Sequence, residues 1–379
     1  MNNQSELPLR PRIPKHFNVV PMPDGRIQLR SAHKTVVLGG KSVKAVGRLL
    51  DLLDGTRDLS EIVKQFPDVP EAEVLTTLKR FSERGMIEDT PEDAAAQDSS
   101  AEYDAQKTLF QVASRDGDIA QEALTKSWVA VFGLGRVGSH AVASLARAGV
   151  GNITGIDGGT VETSLPSSSA LYLQDDIGRP RGEAMAERLR ALSPQVQFQP
   201  LSTEIDDLQD VARIVHRSGL ALVCMDAPEV ATYRAVNEAA VHQGVPWLKA
   251  ALDGFEAQLG PTVMPGETAC YTCYEMRTRA NWSYYDENLA FEELLAKEGP
   301  KVEYGCLAAF SGFLGNLAAL EAVKLLTGFL PPLTCGKFVT FHISNFDLQS
   351  HEVMKLPRCP TCGVIALRPK TALWSLQRE

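Results

Sequence analysis

The sequence has no long apolar run and no block of basic residues, and each absence excludes a class of protein. The 379 residues carry a formal net charge of −9, so the charge pattern does not favour nucleic acid as the main partner. No apolar stretch approaches the roughly 20 residues that cross a bilayer, and the segment Met1 to Pro14 is too polar for a signal peptide. These absences predict a cytoplasmic protein, with no membrane or nucleic-acid partner, that acts on a peptide or a small molecule.

Cysteine is scarce, but four of the seven cysteines form two Cys-x-x-Cys pairs, Cys270 with Cys273 and Cys359 with Cys362. Without a secretion signal, such pairs favour metal ligation over disulfide bonds. Four thiolates in two turn-like segments suit a tetrahedral Zn²⁺ with no open position. We therefore expect a structural zinc knuckle that fastens the C-terminal tail to the main domain. The single cysteines are expected to be buried small apolar residues: Cys224, Cys306 and Cys335.

The pattern along the chain predicts two domains and a linker. Residues 1–89 contain three short alternating strands followed by three amphipathic helices, which is typical of a winged-helix-like module. Residues 90–106 are rich in Ala, Asp, Ser, Glu and Pro and predict a linker. From 107 to 379, apolar strands alternate with helices, which indicates an α/β fold with a doubly wound, mainly parallel Rossmann-like sheet.

A glycine-rich turn in the second domain predicts a nucleotide site. Gly133, Gly135 and Gly138 form a G-x-G-x-x-G motif between a predicted strand and a predicted helix. The glycines would let the backbone approach phosphates at the helix N-terminus. Asp157 ends the next strand, near the ~20-residue spacing expected of a ribose-binding acid. The motif alone also suits an NAD-dependent dehydrogenase, or a degenerate loop on the same fold.

Several collinear segments from Tyr103 to Cys362 resemble the ThiF-like family of ubiquitin-activating-type enzymes. They are Gly149–Asp157, Thr160–Leu165, Asp175–Arg181, Cys224–Asp226, Tyr233–Asn237, Val263–Cys273 and Gly315–Leu326. In that family the acyl terminus of a peptide or small protein attacks ATP and becomes an adenylate. The resemblance implies ATP and Mg²⁺ as cofactors and a homodimer.

The resemblance also assigns roles to individual residues. Asp157 would bind the ribose, Asp226 would lie beside the metal and the reacting phosphate, and Arg181 takes the place of a usual Lys. Alternatively, Asp157 merely ends a strand, Arg181 is a solvated charge at a helix start, and Asp226 caps a turn.

The sequence departs from the family pattern at two positions. The family's Asn and Arg would fall in Leu165–Ser169, which supplies neither an amide nor a cation, and a loop position that is often Gly is Arg136. Loss of a phosphate-facing Arg should cost a few kcal/mol of transition-state stabilisation, unless Arg136 or Arg181 replaces it. We therefore name Asp226, Arg181 and Arg136 as the candidate catalytic residues.

The N-terminal module resembles the PqqD-like precursor-recognition element of peptide-modifying clusters, on the residues Arg26–Leu29 and Leu50–Thr56. Such modules bind a leader peptide as an added strand at a sheet edge beside a helix, here at residues 34–38 and 43–53. A DNA-binding winged helix is the alternative. It is disfavoured because the segment 47–61 is more acidic than basic.

The combination of the two domains resembles microcin C-type and pantocin-type enzymes, and equally the leader-binding ThiF-like partners of YcaO cyclodehydratases. It predicts ATP-dependent activation of a carboxylate of a ribosomally made precursor peptide, in bacteriocin or peptide antibiotic biosynthesis. The alternative is a non-catalytic subunit that delivers the leader to a YcaO-type enzyme. An NAD-dependent oxidoreductase is less favoured, because it explains neither the cysteine pairs nor the N-terminal module.

Overall fold

The chain forms two compact units, Met1–Asp118 and Ile119–Glu379. The computed structural model describes residues 7–31, 34–90, 102–113, 116–202, 208–225, 230–298, 305–345 and 347–363. Most of the predicted linker at 90–106 lies outside these residues, so the domain boundaries given above remain predictions.

The first unit contains the three predicted strands and three predicted helices, with two short strands and one helix added. Its strands are β1 (Pro11–Arg12), β2 (Asn18–Pro21), β3 (Ile27–Arg30), β4 (Thr35–Leu38) and β5 (Glu88–Asp89), and its helices are α1 (Val43–Leu52), α2 (Leu59–Lys64), α3 (Glu71–Glu83) and α4 (Asp104–Val112). The strands β2, β3 and β4 form an antiparallel sheet in that order, and β1 pairs with β5.

Local sequence explains the helices of this unit. Asp58 accepts a hydrogen bond from the backbone of Glu61, whose carboxylate accepts one from the backbone of Asp58, so a capping box starts α2. The apolar faces of the helices pack on Leu29 of the sheet, which is fully buried. The winged-helix assignment of this unit stays a prediction.

The second unit is an α/β domain around a mixed eight-stranded sheet. Its strands are β6 (Trp128–Phe132), β7 (Asn152–Ile156), β8 (Gln197–Leu201), β9 (Leu220–Val223), β10 (Trp247–Asp253), β11 (Glu256–Val263), β12 (Lys337–His342) and β13 (Asp347–Glu352). Its helices are α5 (Gly117–Lys126, at the boundary), α6 (Arg136–Arg147), α7 (Arg181–Leu192), α8 (Leu208–His216), α9 (Val230–Gln243), α10 (Tyr271–Ala280), α11 (Tyr285–Glu298) and α12 (Ala308–Thr327).

The strand order is β13-β12-β11-β10-β9-β6-β7-β8. Five neighbouring strands are parallel to one another: β8, β7, β6, β9 and β10. The sheet continues beyond β10 with antiparallel pairings to β11, β12 and β13. The predicted Rossmann-like α/β class is therefore confirmed, but the sheet is mixed rather than mainly parallel. The order reverses direction at β6, whose carboxyl end is where α/β sheets bind ligands.

The helix α12 is long and largely apolar, although Asn316, Glu321 and Lys324 interrupt its apolar run. Among the described residues, this helix alone has the length and composition to cross a membrane. More than half of its most apolar stretch is buried inside the protein, and α12 packs against α6.

Candidate functional site

The glycine-rich turn follows β6 and has the backbone geometry that its sequence predicts. Gly133 adopts φ +87°, which side chains disfavour. A Cβ on Gly138 would lie 1.9 Å from the carbonyl oxygen of Gly133, so this position admits only glycine. Gly135 is the residue before the first turn of α6. The first backbone N–H groups of a helix lack internal partners, so this turn can bind an anion.

Asp157 is tied to this turn rather than exposed at a strand end. Its Oδ2 accepts a hydrogen bond from the backbone N–H of Leu134 at 2.8 Å, and its Oδ1 accepts one from Gly159 at 2.7 Å. Its side chain is only 9% exposed. The acid that was predicted at the end of the second strand thus lies beside the glycine turn.

Arg181 joins Asp157 and is not a solvated charge, because its side chain is only 16% exposed. It begins α7 directly after Pro180. Its Nη1 lies 3.1 Å from Oδ2 of Asp157, its Nε donates to the carbonyl oxygen of Thr160 at 3.0 Å, and its Nη2 lies 3.3 Å from a carboxylate oxygen of Glu162. The structure therefore places two of the predicted site residues in direct contact.

The segment before α7 is held by a buried acid. Asp176 is fully buried, and its carboxylate accepts hydrogen bonds from the backbone of Leu173 and from Arg179 and Arg188. Burial alone would raise its pKa, but the backbone donor and the Arg188 guanidinium outweigh that effect, so the pKa is lowered. This network fixes the start of α7, and with it the position of Arg181.

Arg136 is the first residue of α6, and its Nη2 lies 3.3 Å from the hydroxyl oxygen of Ser164. It thus contacts the residue directly before the segment Leu165–Ser169, which by resemblance should carry the family's Asn and Arg. In that segment Ser168 is buried, and its carbonyl oxygen accepts a hydrogen bond from the hydroxyl of Ser311. The third candidate, Asp226, lies outside the described residues, and its role stays a prediction.

The four paired cysteines come together although the two pairs are far apart in sequence. Their sulfur atoms all lie within 4.8 Å of one another and could hold one metal ion. The Sγ–Sγ distances include 3.6 Å between Cys270 and Cys359, 3.5 Å between Cys273 and Cys362, and 3.9 Å between Cys270 and Cys273. A tetrahedron with Zn–S bonds of about 2.3 Å has edges of about 3.8 Å, so this donor set fits zinc.

The cluster stabilises a thiolate even before a metal is considered. The neighbouring Cys273 thiol and backbone, with the thiols of Cys362 and Cys359, hold the pKa of Cys270 well below its usual range, although burial opposes this. The single cysteines only partly match expectation. Cys224 is buried, whereas Cys306 and Cys335 are half-exposed.

One buried cation near the site was missed by the sequence analysis. Lys249 lies in β10 and is 7% exposed, and burial lowers its pKa to about 8. The signal was present, since a lone lysine interrupts the apolar segment Trp247 to Leu252. Its surroundings come from α9, α10 and β11, and this long-range packing could not be predicted from local pattern.

Comparison with known proteins identifies the second unit. A family model described as the ThiF family matches residues 103–363. The chain belongs to the ThiF family. The ThiF-family chain is similar to the molybdopterin-synthase adenylyltransferase of Escherichia coli K12, with 30% identity over 243 residues, 64% of this chain and 90% of that protein. It is 31% identical over 245 residues to the sulfur carrier protein ThiS adenylyltransferase of the same organism, covering 64% and 88%. It is also 31% identical over 244 residues to HesA of Leptolyngbya boryana, covering 64% and 80%.

Solved structures extend the likeness of fold beyond the family domain. A crystal structure of E. coli MccB with ATP superposes with a TM-score of 0.71 at 19% identity, covering 93% of this chain and 99% of that chain. A crystal structure of PaaA gives 0.70 at 19% identity, covering 90% and 100%. With its adenylyltransferase relatives, the family shows that this chain is an ATP-dependent adenylating enzyme, which replaces the NAD-dependent alternative.

Proposed function

We propose that this ThiF-family enzyme adenylates a carboxylate of a ribosomally synthesised precursor peptide, in bacteriocin or peptide antibiotic biosynthesis. The proposal rests on the presence of an N-terminal unit before the ThiF domain. The adenylyltransferase relatives cover 64% of this chain, whereas MccB structures cover 93% of it. One of those structures is described as the microcin C7 biosynthetic enzyme MccB in complex with N-formylated MccA. A shared N-terminal unit suggests a shared class of substrate.

The geometry of the site suits charge handling in such a reaction. In adenylation, an oxygen of the substrate carboxylate attacks the α-phosphorus of ATP, the bond to the bridging oxygen breaks, and pyrophosphate leaves. The turn from Gly133 to Gly138 and the start of α6 would bind the phosphates. Asp157 would accept from the ribose hydroxyls, since a carboxylate oxygen can accept more than one hydrogen bond. Arg181 and Arg136 would offset negative charge.

Two ions complete the proposal. Asp226 would hold Mg²⁺, which would offset phosphate charge when it is bound there. The four-cysteine cluster would hold a structural Zn²⁺, because four thiolates leave no position for water. The resemblance also implies a homodimer in solution.

The proposed site for the leader peptide is the edge strand β4 of the first unit. Val37 of β4 is 44% exposed, and no strand pairs with the outer side of β4 in the part of the chain that the structure describes. A groove of about 150 Å³ lies between α1 and α3, lined by Val46, Leu49, Phe66 and Val74. A peptide that adds as a strand would gain backbone hydrogen bonds from β4 and side-chain burial beside the helices.

The test is ATP turnover by the purified full chain, with and without a precursor peptide. We expect the peptide to stimulate release of pyrophosphate, with AMP retained in the acyl adenylate, and Asp226→Ala to reduce the rate about 100-fold or more, as for loss of one electrostatic stabiliser. Asp253→Ala is the matched control, because Asp253 is an exposed acid in the same unit. Tight leader binding with no turnover at high ATP would contradict the proposal and favour delivery of the leader to a separate YcaO-type enzyme.

A further inference from the structure

Lys249 is a buried lysine surrounded by aromatic rings. Its Nζ lies 4.9 Å from the ring centroid of Tyr233, 5.4 Å from that of Tyr274 and 6.0 Å from that of Tyr271. The same atom donates a 2.5 Å hydrogen bond to Oε1 of Gln258. We refer to Tyr233, Tyr271 and Tyr274 as the tyrosine cage. The cage draws on α9 and α10, so it is a product of tertiary packing.

The charge of this lysine has no acidic partner in the described part of the chain. None of the described carboxylates lies within 4 Å of Lys249, and among the described groups burial is the one cause that lowers its pKa. The groups that face Nζ are the phenol rings from α9 and α10 and the amide of Gln258 from β11. Burial raises the pKa of Tyr271 well above its usual value, so this phenol is neutral near pH 8.

A charge in this position does not serve core packing. Attraction to aromatic faces offsets part of the cost of burying an ammonium group, but an apolar side chain of similar volume would cost less. The residues that flank Lys249 in β10 are apolar and fully buried: Trp247, Leu248 and Ala250. Lys249 is thus a single cation among neighbouring side chains that are apolar and buried in the core.

The sheet places Lys249 at the same edge as the nucleotide turn. In the parallel register, Lys249 pairs with Val223, Val223 with Phe132, and Phe132 with Ile156. This row is the last of β6, β7 and β9, where Gly133 and Asp157 follow directly, whereas β10 continues to Asp253. Neighbouring strands lie about 4.8 Å apart, so the backbone of Lys249 is two strand spacings, roughly 10 Å, from the end of β6.

The same edge has one side-chain cation fewer than the family pattern, although Arg136 lies beside Ser164. The segment 165–169 supplies neither the Asn nor the Arg of the family pattern, and Arg181 is already paired with Asp157 and Glu162. We infer that Lys249 is a positioning residue for the nucleotide, whose uncompensated charge below the carboxyl edge stabilises the phosphates of bound ATP. The inference rests on the proposed ATP site at Gly133–Gly138. A fixed charge in a water-excluded position needs no reorganisation when substrate binds.

The test compares ATP affinity at pH 7 and pH 9, by calorimetry on the full chain, for the wild type and three variants. Lys249→Met removes the charge and keeps the volume, and Lys249→Arg keeps a charge that does not titrate in this range. Lys126→Met is the control, because Lys126 is a surface lysine with a 73% exposed side chain. At a separation of roughly 10–12 Å and an effective dielectric constant of about 20, one charge changes affinity about tenfold.

We expect Lys249→Met to weaken ATP binding about tenfold at pH 7, with no loss of thermal stability. The amine loses its proton as the pH rises through about 8, so the wild type should bind ATP more weakly at pH 9 than at pH 7. Lys249→Arg should keep its pH 7 affinity at pH 9, and Lys126→Met should follow the wild type.

Two results would overturn the inference. One is a Lys249→Met variant that binds ATP as the wild type does at both pH values. The other is a Lys249→Arg variant that loses affinity for ATP at pH 9 in parallel with the wild type. This second result is decisive even if Lys249→Met folds poorly. Absence of ATP binding by the wild type at pH 7 is a different failure, because it would remove the proposed nucleotide site itself and the inference with it.

Discussion

At the scale of single residues, the glycine turn is the part of the site that sequence describes best. A Cβ on Gly138 would lie 1.9 Å from the carbonyl oxygen of Gly133, whereas one on Gly219 would lie 3.7 Å from the carbonyl oxygen of Trp128, an ordinary contact. We expect Gly138→Ala to lower the free energy of unfolding by about 1–3 kcal/mol and to abolish ATP binding, because the turn must move.

Gly219→Ala is the matched control and should change the free energy of unfolding by less than about 0.5 kcal/mol. Urea denaturation and calorimetry with ATP measure the two effects. Wild-type ATP affinity in Gly138→Ala would show that the nucleotide does not use this turn.

Charged residues are harder to assign from sequence than glycines. Asp157 and Arg181 were both identified from the motif and its resemblance, yet only the structure shows that they contact each other at 3.1 Å. Lys249 was missed because a charged residue between apolar ones ordinarily indicates a solvated face. The tyrosines that surround it lie on α9, which directly precedes β10, and on α10, which follows β11.

At the scale of elements, the cysteine cluster connects α10 to the segment after β13. Cys270 is the residue before α10, and two residues of that helix, Tyr271 and Tyr274, contribute to the tyrosine cage. We expect about one zinc ion per chain in the purified protein. Cys359→Ser should remove it and lower the free energy of unfolding by about 3 kcal/mol or more, as for loss of a ligand held at 100 times its Kd.

Metal analysis and thermal unfolding with and without a chelator measure these effects. Cys335→Ser is the control, since Cys335 is half-exposed and lies outside the cluster, and it should retain the zinc. A wild-type protein that contains no metal and is indifferent to the chelator would contradict the zinc assignment.

At the scale of the whole molecule, the first unit is what distinguishes this enzyme from adenylyltransferases that match only its ThiF domain. If the leader adds to β4, Val37→Asp should weaken binding of a labelled leader at least about tenfold, because the substitution places an unpaired charge in a buried contact. The affinity of the Val37→Asp variant for ATP alone should not change.

The opposite edge of the same sheet supplies the control. Val20 of β2 is 39% exposed, close to the 44% of Val37, and Val20→Asp should leave leader binding intact. Fluorescence anisotropy of the leader and calorimetry with ATP give the two readouts. Loss of leader binding in Val20→Asp with none in Val37→Asp would move the docking site to β2.

Local features of this protein can be predicted from its amino-acid sequence alone: the glycine turn, the strand–helix alternation around it, the two cysteine pairs and the helices of the first unit. These follow from backbone preferences and periodicity, which act over a few residues. The meeting of the two cysteine pairs, 89 positions apart, was expected from the predicted four-thiolate site and is confirmed. The antiparallel continuation through β11 to β13, the contact between Asp157 and Arg181 and the cage around Lys249 are visible only in the tertiary structure. Those features depend on which strands pair and which helix faces they bury, and a local pattern does not encode pairing between distant segments.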